Sequence, residues 1–352
     1  MRRLGRAAAI AMLAILCGCA SNPTPDVNTS LSIMAFNVEN LFDANDDPGK
    51  DDHDYLPLAE KQTEAHRAHC LSLRFESWQQ RCLNVDWSES VVTQKLGAIA
   101  AAIQQIDGGL GPDIVVLQEV ENIAILERLR RDFLASSNYQ PAVLVEGNDS
   151  RGIDVAFLSR LPLAGEAQLH DIRFSDEFAD RAGDTRGILQ ADFRMADGSL
   201  ITGFAVHFPA PYHPTEMRVA AYDTLNRLLA ALPADRAAFA GGDFNTTSAE
   251  DSEKNMLDRF ARPYWLVSND LCPGCRGTSY FAPDDSWSFL DMVLWRPCCG
   301  ENTTDAVRKV SAQIANETAA QRRDDGTPRR FDGESGTGVS DHWPVLIRVE
   351  SE

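Results

Sequence analysis

Gly241-Gly242-Asp243-Phe244-Asn245 follows Arg236-Ala237-Ala238-Phe239-Ala240, a short apolar run that reads as a buried strand. The two glycines allow a sharp backbone turn and a close approach to whatever sits at the strand end. On an extended backbone Asp243 and Asn245, either side of Phe244, point the same way. Asp243 offers charge and a proton acceptor, Asn245 a neutral donor and acceptor. Together they suit a phosphate and the water that attacks it. An Asx turn closing a strand has the same composition, so the neighbouring segments decide between the two.

Working outward, other apolar runs also end on polar groups. Leu31 to Phe36 delivers Asn37. Val92, Leu96, Ile99, Ile103 and Ile106 recur at helical spacing. Then Ile114-Val115-Val116-Leu117, apolar throughout like a strand covered on both faces, ends in Gln118-Glu119. A carboxylate there is costly unless it is paired or binds a cation. Asp154 to Arg160 is a further strand, and Gly187 to Phe193 pairs with Leu200 to Val206 through a hairpin at Asp197-Gly198. Arg186 heads that hairpin and His207 ends it. A helix begins near Thr215, and Ser288 to Trp295 reads as a strand with Asp291 embedded in it. The chain closes on Ser340-Asp341-His342 and a last strand.

Among 352 residues, 44% hydrophobic, the formal charge is -19, with 33 basic against 52 acidic. That balance disfavours non-specific nucleic-acid binding, which draws on basic contacts to phosphates. It leaves open an enzyme that meets phosphate through a cation. Arg2, Arg3 and Arg6 precede an apolar run, Ala7 to Leu16, too short to span a bilayer. Leu16-Cys17-Gly18-Cys19 resembles the lipobox of bacterial lipoproteins, which implies a signal peptide over 1–18, acylation at Cys19, a tether over 19–30 and an outer-membrane location. An ordinary secretory signal is the alternative. Cys70 and Cys82 form a natural local disulfide. Cys272, Cys275, Cys298 and Cys299 read as a cross-linked corner between two loops, or alternatively as a four-thiolate zinc site. Residues 43–90 read as a loop-like insert whose run Asp46 to Asp54 is solvated; a calcium loop there lacks EF-hand spacing. Arg322, Arg323, Arg329 and Arg330 read as a solvated loop balanced by Asp324 and Asp325, the alternative being a quartet that leans over the cleft and attracts substrate.

In order, Asn37-Val38-Glu39-Asn40, Gln118-Glu119-Val120, Gly242-Asp243-Phe244-Asn245, an Asp in the next strand and Ser340-Asp341-His342 resemble the endonuclease/exonuclease/phosphatase superfamily, over Leu31 to Val349. Asn40-Leu41-Phe42-Asp43 and Arg151-Gly152-Ile153-Asp154 resemble its bacterial secreted nuclease-like members. The resemblance implies an α/β fold in four layers, two mixed β-sheets packed face to face with helices outside, as one domain over 31–352. It implies Mg²⁺, Mn²⁺ or Ca²⁺ held by Glu119 and Asp341 with Asn37 beside them. His342 becomes a general base or acid oriented by Asp291, and Asp243 handles the attacking water. Asn245 donates to the phosphoryl oxygen, His207 serves the leaving group with Asp154 in support, and Arg186 clamps phosphate. The expected substrate is nucleic acid; a small or lipid phosphoester is the alternative, and a non-catalytic surface-binding lipoprotein the alternative of another class. No protein partner is expected, and the chain reads as a monomer.

Overall fold

The structure, a computed structural model, describes residues 30–297 and 309–350. The signal segment, Cys19, most of the tether, Cys298 and Cys299 lie outside them. Ala237–Asp243 is an inner strand of a six-stranded sheet, parallel to Leu200–His207 and antiparallel to Asp291–Arg296. Ile188–Arg194 and Gln168–His170 extend one side of this sheet and Leu266–Val267 the other. Alternation along the strand decides the layers. Ala238 and Ala240 face a core shared with Tyr222 and Leu225 of the helix Thr215–Ala231. Phe239 faces the opposite way, into a core shared with Ile33, Val116 and Phe157 of a second sheet.

That second sheet runs Val310–Ile314, Val345–Val349, Leu31–Leu41, Ile114–Val120, Asp154–Ser159, Val143–Leu144. Ile33 and Ala35 turn inward between the sheets, while Met34 and Phe36 turn to Val92, Leu96 and Ile99 of the helix Glu89–Gln104. Helix, sheet, sheet and helix therefore stack as the four-layer arrangement expected. The two sheets lock through aromatic edges: Phe157 meets Phe193 and Phe239 at centroid distances of 5.3 and 6.2 Å. Truncating a ring buried this way costs about 3–5 kcal/mol.

Both glycines of the opening stretch lie inside the strand, not in a turn, because ladder pairing continues on both sides to Asp243. A Cβ on Gly241 would stand 2.9 Å from Val116 Cγ2 of the facing sheet. At Gly242, φ is +147° and a Cβ would fall 1.9 Å from Val206 O. Only glycine fits there. The strand expected from Ser288 begins at Asp291; Ser286–Ser288 instead pairs with Ser279–Phe281 in a separate ribbon.

The insert is more ordered than a loop. It holds the helices Glu64–Ser72 and Glu76–Asn84, the first capped by Thr63 Oγ1 accepting from His66 N. Cys70 and Cys82 join them, as expected. Short, largely exposed helices carry little apolar periodicity, so their order rests on the cap and the cross-link. Nor is the acidic run wholly solvated: Asp52 is 1% exposed. Cys272 pairs with Cys275 inside one loop, which corrects the corner expected between two loops and removes both thiolates from a zinc site. Among the described residues no helix is long and apolar enough to cross a membrane.

Candidate active site

Leu31–Leu41 and Ile114–Val120 are adjacent and parallel, and both leave regular pairing at their carboxyl ends, between Asn37 and Leu41 and between Gln118 and Val120. Glu39, Asn40 and Glu119 take left-handed φ values of 53°, 60° and 63° there. Such backbone costs on the order of 1–3 kcal/mol per residue and persists where surrounding contacts impose it. The bulges re-aim side chains at the sheet end. Glu119 Oε1 accepts from Asn37 Nδ2 at 3.3 Å, and Oε2 from Asn40 N at 3.0 Å.

The other sheet contributes one register line across three strands: His207 pairs with Asp243, and Asp243 with Asp291. Asn37 Nδ2 donates across the sheet interface to Asp243 Oδ2 at 3.1 Å. The strand stops at Asp243, and Asn245 is left-handed at φ 50°, so the two side chains do not share an extended backbone. Asn245 N donates to Asp243 Oδ1 at 2.8 Å, the Asx turn that the composition also allowed. Turn and site are one feature. Asn245 Nδ2 is anchored on Phe208 O at 2.9 Å.

The terminal motif closes the crevice. Ser340 Oγ donates to Asn37 O at 2.7 Å and accepts from His342 N at 3.0 Å. His342 Nδ1 lies 2.6 Å from Asp291 Oδ2. Asp243, Asp291 and His342 offer ligand-type atoms all within 4.8 Å of one another, and all three are buried. Burial works against a charged His342, but the Asp291 carboxylate and its hydrogen bond, backed by Asp341 and Asp243, raise its pKa well above the usual histidine value. Burial first, and Asp291 next, push Asp243 up to about 7. His207 goes the other way: burial, then Arg186 and His342, hold it well below its usual value and neutral. Its Nε2 stands 3.6 Å from Asp243 Oδ2.

Asp341 enters from the rim. Its N donates to Glu39 Oε2 at 3.0 Å, and its Oδ2 accepts from Arg330 Nε at 3.1 Å. Arg330 Nε also lies 3.0 Å from Glu39 Oε1. Arg330 is thus a rim residue rather than part of a solvated loop. Behind it, Lys95 is fully buried and donates to Val339 O at 2.7 Å. Sequence reasoning missed Glu39, Lys95 and Arg151. Lys95 had a signal, a cation on the apolar stripe between Val92 and Leu96. Arg330 was the cleft alternative ranked second, since loop position alone does not say what a side chain reaches. Arg151 pairs with Asn40 Oδ1 beside Glu119.

Two expected groups are engaged otherwise than the resemblance implies. Asp154 Oδ1 accepts from Gly147 N at 2.9 Å, and among the described contacts none joins it to His207, whose Nδ1 has no partner. The expected support of His207 by Asp154 is not formed: the Val120–Asp154 pairing fixes this carboxylate at the bulge, where it closes the 147–154 turn. Arg186 is buried near His207 with Nη1 3.3 Å from Asp149 Oδ2, so one edge of its fork is engaged.

A divalent cation fits this donor set. Glu119 and Asp341 are hard oxygen donors, and Asp341 keeps 30% of its side chain exposed. Asp291 Oδ1 is buried with no hydrogen-bond partner, so the crevice holds more negative charge than its donors satisfy. Glu119 and Asp341 do not stand in a tight ready-made cluster with a third such group; Asn37 and Glu39 link them from either side.

Comparison with known proteins agrees with this geometry. No curated protein matches the sequence. D. rerio TDP2 complexed with a single-strand DNA product is similar in structure at 15% identity and TM-score 0.55, over 92% of this chain and 100% of that one. An endonuclease/exonuclease/phosphatase family protein from Bacteroides thetaiotaomicron is similar at 16% identity and TM-score 0.55, over 92% and 98%. SmcL is similar at 16% identity and TM-score 0.53, over 91% and 99%. These likenesses concern the fold. A sequence profile of the Endonuclease/Exonuclease/phosphatase family matches residues 83–342, from the end of the insert through His342. The chain belongs to that family of phosphoester hydrolases.

Proposed function

We propose that the chain is a divalent-metal-dependent phosphodiester hydrolase that cuts nucleic acid, DNA or RNA. The observation that carries the proposal is the buried Asp243, Asp291 and His342 trio, joined through Asn37 to Glu119. A divalent ion at Glu119 and Asp341, Mg²⁺ with Mn²⁺ or Ca²⁺ as alternatives, would supply a Lewis acid that neutralises the phosphoryl oxygens. The chain's own groups do the rest. Asp243, poised near neutral pH, takes a proton from the attacking water. His342, held as imidazolium by Asp291, faces the negative charge that builds on phosphorus-bound oxygen and can release its proton. Neutral His207 and the Asn245 amide are the remaining donors, and Arg186 a further positive group nearby.

Family membership and the single-strand DNA product bound by a structurally similar protein support the nucleic-acid reading. The charge of -19 favours the second reading, a small or lipid phosphoester. Plasmid DNA, RNA, sphingomyelin, inositol phosphates and an aryl phosphodiester, each with Mg²⁺, Mn²⁺, Ca²⁺ or chelator, separate these. Cleavage of a nucleic acid that chelator abolishes is the expected result. Turnover of the small or lipid esters with intact DNA and RNA gives the second reading, and no turnover at all gives a binding protein. His342→Ala should lower kcat by about 10²–10⁴-fold, read on the cleaved substrate. We also propose acylation at Cys19 and an outer-membrane location, on the Leu16-Cys17-Gly18-Cys19 sequence. Labelled palmitate should enter the wild type and not Cys19→Ser.

A further inference from the structure

The insert brings together a second group of ligating side chains, made of residues other than those of the hydrolytic crevice. His53 lies in a single helical turn, His53–Tyr55, and His69 in the helix Glu64–Ser72. Their rings meet edge to face at a centroid distance of 4.1 Å. Asp51, His53 and His69 offer ligand-type atoms all within 4.8 Å of one another, as do Asp46, Asp52 and His53. His69 Nε2 stands 3.6 Å from Asp51 Oδ1, and His53 Nδ1 stands 3.6 Å from Asp46 Oδ1. Those separations are too long for hydrogen bonds. The His69–Asp51 separation is close to the ligand-to-ligand edge of a tetrahedral zinc centre, about 3.3 Å for bonds of about 2.0–2.1 Å.

Two observations, one within the cluster and one beside it, suit a cation here. His69 Nε2 is shielded from solvent and has no hydrogen-bond partner. Asp52 is 1% exposed; one oxygen accepts from Asp47 N at 2.8 Å, and Oδ1 has no partner at all. A buried carboxylate oxygen left bare costs free energy that a nearby cation removes. His66, the third histidine of the insert, is engaged differently, with Nε2 3.1 Å from Cys82 O. Cys70 and Cys82 are oxidised to a disulfide and supply no thiolate.

We propose that Asp51, His53 and His69 bind one zinc ion, with Asp46 and Asp52 holding the second face of the His53 imidazole. Two imidazoles and a carboxylate suit zinc better than a hard cation, which prefers oxygen throughout. Asp46 Oδ1, 3.6 Å from His53 Nδ1, leaves Nε2 for the ion, and closing that gap to a hydrogen bond on binding would fix the ring and strengthen its donor atom. Water completes the fourth position, which the part-exposed histidines leave open. The ion clips the acidic run to the helix Glu64–Ser72, as the disulfide clips that helix to Glu76–Asn84. Tyr55, two residues from His53, stacks on Phe42 at 4.0 Å, so the clip steadies the insert where it meets the core.

The test is zinc content of the full chain after dialysis against Zn²⁺, with Mg²⁺ in large excess to hold the hydrolytic crevice. One zinc per chain is expected in the wild type and in Glu119→Gln. His53→Gln and His69→Gln should each lose it. Asp51→Asn, which keeps both imidazoles, should weaken binding at least tenfold and serves if a histidine variant does not fold. With Co²⁺ in place of Zn²⁺, the visible bands of a tetrahedral centre should appear in the wild type and vanish in His69→Gln. Zinc content unchanged in the folded insert variants, or lost in Glu119→Gln alone, overturns the proposal.

Discussion

Asp154 shows how a single side chain ties structure to pH. Burial, opposed in part by the hydrogen bond from Gly147 N, raises its pKa from 3.8 to about 7. Between those values the folded chain holds a proton that the unfolded chain has lost, so stability falls as pH rises through the window. A shift of that size corresponds to roughly 4 kcal/mol. Asp154→Asn keeps an oxygen for Gly147 N and removes the ionisation. It should flatten the loss of melting temperature between about pH 4 and pH 7, measured side by side with the wild type. At this scale the sequence was partly legible. Asn37, Glu119, Asp243 and Asp291 could be found because each polar group ends or interrupts an apolar run, and His342 because Ser340-Asp341-His342 carries the family resemblance. Glu39 and Arg330 could not, because what they touch depends on how the 330–341 loop folds back over the Leu31–Leu41 strand. Asp154 was found and given the wrong neighbour, since its partner Gly147 is set by a turn rather than by strand pairing.

Among the elements, Ala237–Asp243 tolerates least. Gly242→Ala places a methyl group against Val206 O, backbone on backbone, at a φ that side chains rarely adopt. Neither strand can move without breaking the ladder that joins them. The variant should lose about 3 kcal/mol or more, read as a drop in the denaturant midpoint. Gly198→Ala, in the open hairpin loop with nothing within 4 Å of its Cβ, is the control for backbone strain alone. Strand and long-helix positions followed from periodicity; the helices of the insert did not. Their exposed faces include Leu71, Phe75 and Trp78, while Cys70 and Cys82 are buried, so the pattern of a solvent-facing polar side is inverted. A cross-link had replaced the apolar stripe as the source of order, and hydropathy does not register it.

Across the whole molecule, the charge of -19 sets the approach of a polyanion. Repulsion between like charges weakens as salt shortens the screening length, from about 30 Å at 0.01 M to about 8 Å at 0.15 M. KM for DNA or RNA should therefore fall over that range at fixed divalent metal, whereas KM for a neutral-bodied aryl ester stays nearly flat. A KM for DNA that rises with salt instead would mean that Arg330, Arg151 and their neighbours outweigh the bulk charge near the crevice. Layer architecture was readable only through the family resemblance, because apolar runs mark covered strands without saying which sheet each joins. The meeting of the two sheets was not, because it depends on Gly241 and Phe239 fitting the facing surface.

The bond from Asn37 to Asp243 links two sheets that share no strand. Neither half owns a working centre, since Glu119 belongs to one and Asp243 and Asp291 to the other. The candidate centre is thus complete only once the sandwich has closed. On the proposed chemistry, a nascent or half-collapsed chain would be inert toward phosphodiesters.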